Sequence, residues 1–465
     1  MKTKTLIIAN TAETFRESTL RMRTPEAREH QMRFDQNLGE RGLFWAGDNK
    51  LVVTSQPVPK EFLRHVQTAM GYRHLEVRWP SEPTLCLSRD VWEDPALFRD
   101  LVTYCGHEPV NLIPYTTTAE FLELAERLRQ AGAHIQLPES VDRRRLWLRD
   151  YLDTKAGFRA LGQSLARELK VLRVAPGFVC RDRMQAAQVA AWFLERGESC
   201  VVKADQGAGG EGLSVFKPES AEVKTLQDIL EVLDANPYLD NDLLVAEKFI
   251  AADVSVGGGS PSPDLYVPPP GAGEVEFSCL SAQTLAENGE FIGVEIHPNV
   301  LPAPLTLSLR QDSLTIAQVM REMGYVGPFD IDFVMGQDGE VYMVEFNMRR
   351  TGGSHGHDAA VHLFGRDYTQ RAAVLTANKP VAEAGPISFD TLYESLHDLI
   401  YPMGHRHAGL ILTNVSLLQY GSFGYILLAP DLKQAYALRA EMSQRIQALI
   451  AAKRPSPEQA ELLPV

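Results

Sequence analysis

Two alternating apolar–polar runs, residues 327–337 and 340–348, meet at Asp338-Gly339, a dipeptide suited to the positive φ values of a tight hairpin turn. Residues two apart on a strand share a face, so Asp330 points with Asp332, and Glu345 with Asn347. A two-residue turn pairs 337 with 340, which sets 332 opposite 345 and 330 opposite 347. Facing carboxylates repel without a cation between them. Their Ile, Phe, Val and Met neighbours make a merely decorative acidic cluster unfavourable. Hard oxygen donors in this number suit Mg²⁺, which keeps some waters and takes other oxygens from a substrate's phosphates.

A second constraint lies upstream, at residues 200–216. Val201, Val202 and Lys203 lead into Gly207, Gly209, Gly210 and Gly212. Glycines admit φ > 0 and carry no Cβ to block a close approach. Successive backbone N–H groups in such a loop form a concavity for phosphate, to which Lys203 adds a compact charge. The spacing Gly207-x-Gly209-x-x-Gly212 matches a dinucleotide fingerprint, which demands a helix after the last glycine. Leu213-Ser214-Val215-Phe216 predicts a strand instead, so the stretch reads as a Gly-rich hairpin. The absence of a Gly-Lys-Ser/Thr ending excludes a P-loop.

The remaining chain supplies context. A net charge of −14, from 46 basic and 60 acidic residues, argues against a general nucleic-acid binder and against an anionic membrane surface. No apolar run is long enough for a membrane span, and the N-terminus does not read as a signal peptide. Five scattered cysteines without a C-x-x-C pair suit reduced thiols, so the expected compartment is the cytoplasm. Strands at 6–9, 51–54, 110–113 and 134–137 alternate with helices at 62–70 and 121–131, which predicts an open, mainly parallel sheet. Thr117-x-x-Glu120 has the pattern of a capping box for the second of these helices. Lys155 opens a further helix, and helix and hairpin alternate over 170–245. Residues 257–273, rich in Gly and Pro, read as a mobile loop. The run Arg143-Arg144-Arg145 with Arg149 reads as a solvated face, and Trp147 and Trp192 as core. The histidines at 355, 357, 362, 405 and 407 lack metal-ligand spacing.

A lysine on a Gly-rich hairpin, followed far downstream by a Glu-x-Asn strand, resembles the ATP-grasp ligases over residues 150–360. The resemblance implies an α/β and α+β chain. A pre-ATP-grasp domain of open parallel sheet would span 1–145, the ATP-grasp domain 146–375 with its lid at about 170–245, and a small α+β domain 376–465. It implies that Lys155 and Lys203 hold ATP phosphates and that the segment from Gly207 to Ser214 covers them. Glu247, Lys248 and Ile250 would line the purine, and Asp253 the ribose, where the family more often has Glu. Asp332, Glu345 and Asn347 take the Mg²⁺ ligand positions, and Arg349 takes that of the arginine at the phosphoryl-transfer centre. Backbone N–H groups of 351–354 would meet an acyl phosphate, while Arg310 and Arg350 are open candidates for a substrate carboxylate. The whole layout looks like the pheganomycin-type peptide ligases. The implied activity joins an amino acid-like carboxylate to an amino acid or peptide amine in natural-product biosynthesis, with ATP and Mg²⁺. A phosphotransferase acting on a small-molecule hydroxyl is the alternative. The expected partners are the small substrates, with no nucleic acid and no membrane, and a homodimer is plausible.

Overall fold

The computed structural model describes residues 3–453 apart from 23, 207–211, 221–224, 240–242, 287–290, 382–386 and 404–406. The first sheet has five parallel strands in the order Leu75–Arg78, Lys50–Val53, Lys4–Ile8, Val110–Pro114, Ile135–Gln136. Leu6 and Ile8 pack into one apolar core and Ile7 and Ala9 into another, as expected of a parallel strand covered on both faces. The chain passes from the middle strand to one side and later returns to the other, so Lys4–Ile8 and Val110–Pro114 flank a topological switch point. Ligands of open α/β sheets bind beyond the carboxyl ends of strands at such a point. Here Asn10 ties the two strand ends together, its Oδ1 accepting from Tyr115 N and its Nδ2 donating to Thr116 O.

The polar stretch after the first strand forms two helices, Thr11–Arg21 and Pro25–Asn37, followed by a 3-10 turn, Leu38–Phe44. The helix Ala119–Gln130 is capped by Thr118, whose Oγ1 accepts from Phe121 N, and not by Thr117. Glu120 instead forms ion pairs with Arg16 and Arg89.

The second sheet has four antiparallel strands, Gly177–Cys180, Leu244–Lys248, Cys200–Ala204 and Leu213–Phe216, backed by helices Arg183–Leu194 and Leu226–Ala235. Its last two strands are the hairpin expected around the glycines, in the register Cys200↔Phe216 to Lys203↔Leu213. Gly207, Gly209 and Gly210 lie outside the described residues, whereas Gly212 stands at φ +72°.

The third sheet carries the candidate site. Its nine strands run Gly409–Thr413, Ser422–Ala429, Ala373–Pro380, Phe291–Ile296, Glu276–Leu285, Pro261–Val267, Gly327–Met335, Val341–Asn347 and Leu172–Val174. The strands after residue 400 thus extend the same sheet that holds 327–347, and residues 7–77 share a core with 359–446.

Three readings of the sequence are corrected here. Of residues 257–273, read as a mobile loop, 261–267 are a strand: three left-handed glycines, Gly257 to Gly259, turn the chain into the central strand Pro261–Val267, and 268–273 follow as turn and coil. Prolines are tolerated because the neighbouring strand on one side pairs only from Asp264 onward, so no ladder partner is lost at 261 and 263 there. Trp147 and Trp192 are surface residues, 58% and 39% exposed. The turn at 336–340 holds three residues rather than two, with Gly336 N donating to Glu340 O and Gly339 at φ +83°. A β-bulge after Asp332 makes up the extra residue, and the pairs Asp332↔Glu345 and Asp330↔Asn347 form as expected.

Candidate functional site

The site is a polar face on the third sheet. Cys279, Asp264, Asp330 and Asn347 stand directly opposite one another across four adjacent strands. Beside this row lies a second, containing Ser281, Ser262, Asp332 and Glu345. Asn347 Nδ2 donates to Asp332 Oδ2 at 3.1 Å, and the Gln283 amide donates to Asp332 Oδ1. Burial, and then the like charge of Glu345, push the Asp332 carboxyl up to about 7. Burial and the charges of Asp332 and Asp264 raise Asp330 well above the usual carboxylate range. Asp330 Oδ1 is buried without a hydrogen-bond partner. Burial would raise Glu345 too, but Lys155, Lys203 and Arg349 outweigh it and hold this carboxyl below its ordinary value.

Those cations arrive from three directions. Lys155 opens the helix Lys155–Leu165, where Thr154 caps Gly157 N and Asp205 accepts from Ala156 N. Its Nζ lies 3.0 Å from Glu345 Oε2. Lys203 comes from the second sheet, its Nζ 2.6 Å from Glu247 Oε1. Arg349 leaves the end of the strand Val341–Asn347, its Nη1 2.8 Å from Asp153 Oδ1, which also accepts from Met348 N. The Arg349 Nε is buried and unpartnered. Beyond it stand Phe15, its ring 6.0 Å from the guanidinium carbon, and Tyr115, both at the switch point of the first sheet.

Other expected residues fall less directly into place. Glu247 is buried and engaged by the guanidinium of Arg159 as well as by Lys203. Lys248 pairs with Glu198 at 2.8 Å, while its backbone N donates to Pro176 O. Ile250 is half-buried just past that strand. Asp253 donates its backbone N–H to Met335 O, and its carboxylate accepts from Ser255 at the rim. Ser214 is not brought to the site. It pairs with Val202 on the helix-covered face of its hairpin, opposite the face of Lys203, where Asn236 reaches its Oγ at 3.4 Å. Thr351 and Ser354 sit at the start of the helix Ser354–Phe364, with Thr351 N donating to Ser354 Oγ and Thr351 Oγ1 to Asp264. Arg350 turns away from Arg349 into ion pairs with Glu139 and Asp358 at 2.8 and 2.9 Å, and Arg310 is exposed over Phe277. Reading the sequence missed Asp264, Gln283, Arg159 and Asp153. For Asp264, the only signal was the alternation Ser262-Pro263-Asp264-Leu265-Tyr266, masked by its prolines.

The donor set suits Mg²⁺. Hard oxygens from Asp332, Glu345 and Asn347 converge where negative charge is buried and under-compensated. Among the described residues no three His, Cys, Asp or Glu form a ready-made cage. A separate cavity of about 540 Å³ opens on the far face of the sheet. There Glu295 is already paired with Tyr436 and Arg439.

Residues 39–130 match the family model for the pre-ATP-grasp domain. A curated relative, the butirosin acyl-carrier protein L-glutamate ligase of Niallia circulans, is 24% identical over 271 residues, 56% of this chain. The match spans 58% of that relative's length. Among solved structures, the biotin carboxylase domain of Hydrogenobacter thermophilus 2-oxoglutarate carboxylase, with MgADP, ADP and bicarbonate, aligns at TM-score 0.54 and 14% identity. That alignment covers 98% of this chain and 95% of the other. Campylobacter jejuni biotin carboxylase, in a β-γ-ATP complex, aligns at TM-score 0.53 and 11% identity over 98% and 96%. The fold is ATP-grasp, an α/β fold with a parallel-sheet domain ahead of it. No described helix is long and apolar enough to cross a membrane.

Proposed function

We propose that this member of the ATP-grasp superfamily is an ATP-dependent carboxylate–amine ligase. The observation that carries the reading is the gathering of Lys155, Lys203 and Arg349, from separate elements, within electrostatic reach of the half-buried Glu345, which Lys155 contacts directly. Three cations beside an acidic oxygen cluster suit a triphosphate neutralised directly by lysine and arginine and indirectly by a metal ion held on the carboxylates. Lys155 and Lys203 would hold phosphate oxygens, exchanging their present carboxylate partners for them. Asp332, Glu345 and Asn347 would hold Mg²⁺, which when bound supplies charge neutralisation at the phosphates. Glu247, Lys248, Ile250 and Asp253 would line the nucleoside, with Glu247 kept ionised by Arg159 once Lys203 turns to phosphate.

Arg349, aimed by Asp153, would hold the substrate carboxylate in line with the terminal phosphorus. A carboxylate oxygen attacks that phosphorus and ADP leaves. An amine nitrogen then attacks the carbonyl carbon, phosphate leaves, and the amine's surplus proton passes to solvent. The hairpin that carries Lys203 would shield the acyl phosphate from water.

The finer reading is an amino acid-like acid joined to an amino acid or peptide amine in natural-product biosynthesis. The curated relative, named for L-glutamate and for a butirosin carrier, supports it. The cytoplasm as compartment and a homodimer as assembly belong to the same proposal, the latter in keeping with the dimer described for the Hydrogenobacter domain.

The test replaces Glu345 and Asn347 together by alanine. Acid- and amine-dependent ADP release is expected to vanish while far-UV circular dichroism stays native. Full turnover would remove the metal assignment. A stable phosphorylated product in place of amide and free phosphate would make the enzyme a phosphotransferase.

A further inference from the structure

Around Arg41 the structure gathers polar atoms that have nothing to bond. Arg41 lies on the turn Leu38–Phe44, and among the described residues no carboxylate forms an ion pair with it. The hydrogen bond from its Nη2 to Asn378 Oδ1 is long at 3.4 Å, and its Nε is buried and unpartnered. Asn378 and Thr413 stand on either side of Gly424 in adjacent strands. A Cβ on Gly424 would strike Thr413 Oγ1 and stand 3.1 Å from Asn414 Cβ and 3.2 Å from Asn378 Oδ1. Only glycine at this position lets Thr413, Asn414 and Asn378 pack so close to one another.

Thr376, two residues before Asn378 on the same face, is in reach of the backbone at Gly356, beside His355. His355 in turn feels the charge of Arg41. Thr376 Oγ1, Thr413 Oγ1, His355 Nδ1 and both polar side-chain atoms of Asn414 are all buried without partners. Asn414 also holds φ +30°, a left-handed conformation in which a non-glycine residue is strained. Strain and unmet hydrogen-bonding capacity in one buried place are features of binding sites.

The seam adjoins the proposed acyl site. Tyr115 lies between them, within electrostatic reach of Arg349 and of Arg41. The loop from Arg349 through Gly352 and Gly353 runs directly to His355. Against a net charge of −14, an unpaired guanidinium facing inward marks a place for an anion.

We propose that this seam holds a second carboxylate of the acid substrate, paired with Arg41, so that the enzyme selects a dicarboxylic acid. The Asn414 amide, Thr376, Thr413 and His355 would supply the remaining hydrogen bonds. The proposal rests on the ligase reading for the identity of the acid, though not for binding at the seam.

The probes are glutarate and butyrate, equal in carbon count to within one and different in the second carboxylate, with inorganic phosphate as a third. Melting temperature and KM would be measured on the full chain with MgADP or MgATP. Wild type is expected to favour glutarate over butyrate by about tenfold or more in KM, with the larger rise in melting temperature for glutarate, the scale of one charge-assisted pair. Arg41→Met should erase that preference while MgADP still raises the melting temperature. If Arg41→Met does not fold, Asn414→Gly, which relieves the left-handed strain, should weaken glutarate binding in the same sense. No preference in the wild type, or a preference unchanged in the variants, overturns the proposal. Stabilisation by phosphate alone overturns it too, since it marks a free anion site. Glutarate binding through Arg41 without ADP release from any acid would sink the ligase reading and leave the seam standing. ADP release indifferent to Arg41 would do the reverse.

Discussion

Glu40 is the clearest case of a residue whose neighbours set its charge. It is buried, with Ser416 donating both its backbone N–H and its hydroxyl to the carboxylate, and burial pushes its carboxyl up to about 7 against those bonds. A carboxyl raised on folding contributes its full stability below the unfolded value near 4.5 and loses it as pH rises through 7. Glu40→Gln should therefore match the wild type near pH 4 and be the more stable by about 3 kcal/mol at pH 8, from roughly 1.4 kcal/mol per pH unit. Urea unfolding at the two pH values checks this; equal gaps at both would refute it. Nothing in the sequence around residue 40 announced this, because the partner is 376 residues away. Asp332, Glu345 and Asn347 were legible for the opposite reason: strand periodicity alone puts them on one face. Glu247 was read as a nucleotide contact, and its two cations, Lys203 and Arg159, became visible only when distant elements were packed together.

The hairpin Gly327–Met335 with Val341–Asn347 shows how an element reaches an expected register by an unexpected route. A longer turn shifts the pairing by one residue and the bulge after Asp332 shifts it back. Register at the site is therefore held by packing of Phe333, Met343 and Phe346, all buried, rather than by the turn itself. Gly339→Val, forced into φ near +83°, should lose about 1–2 kcal/mol of stability and leave ADP release within about twofold. A loss of activity much larger than the loss of stability would show that the turn does set the register. In the strand Pro261–Val267 the local signals were misleading, since glycine and proline usually mark a loop. Its status as a central strand comes from the strands on either side: its prolines pair with Ala282 and Leu280 on one side, while the other neighbour pairs only from Asp264 onward.

At the scale of the whole molecule, residues from both ends of the chain build one core, and the first sheet's switch point faces the third sheet's acidic rows across Arg349. Arg350 fastens the two. It donates to Glu139 and Asp358, its backbone N bonds Tyr115 O, and its guanidinium lies 5.0 Å from the Trp45 ring. Arg350→Met would leave the half-buried Glu139 and Asp358 without their cation, for a loss of about 2–3 kcal/mol in urea unfolding. A loss below about 1 kcal/mol would mean that the sheets are held without it. Residue order alone determined the parallel sheet, the glycine hairpin, the helix at Lys155 and the face on which the oxygen ligands stand, because each follows from periodicity and turn chemistry within a few residues. Only the tertiary structure decided that Lys155 meets Glu345 with Lys203 in electrostatic reach, that Asp264 joins the acidic rows, that Ser214 turns away, and that among the described residues no carboxylate pairs with Arg41. Those outcomes depend on which distant strands become neighbours, and electrostatic and hydrogen-bonding partners are chosen by that adjacency rather than by position along the chain.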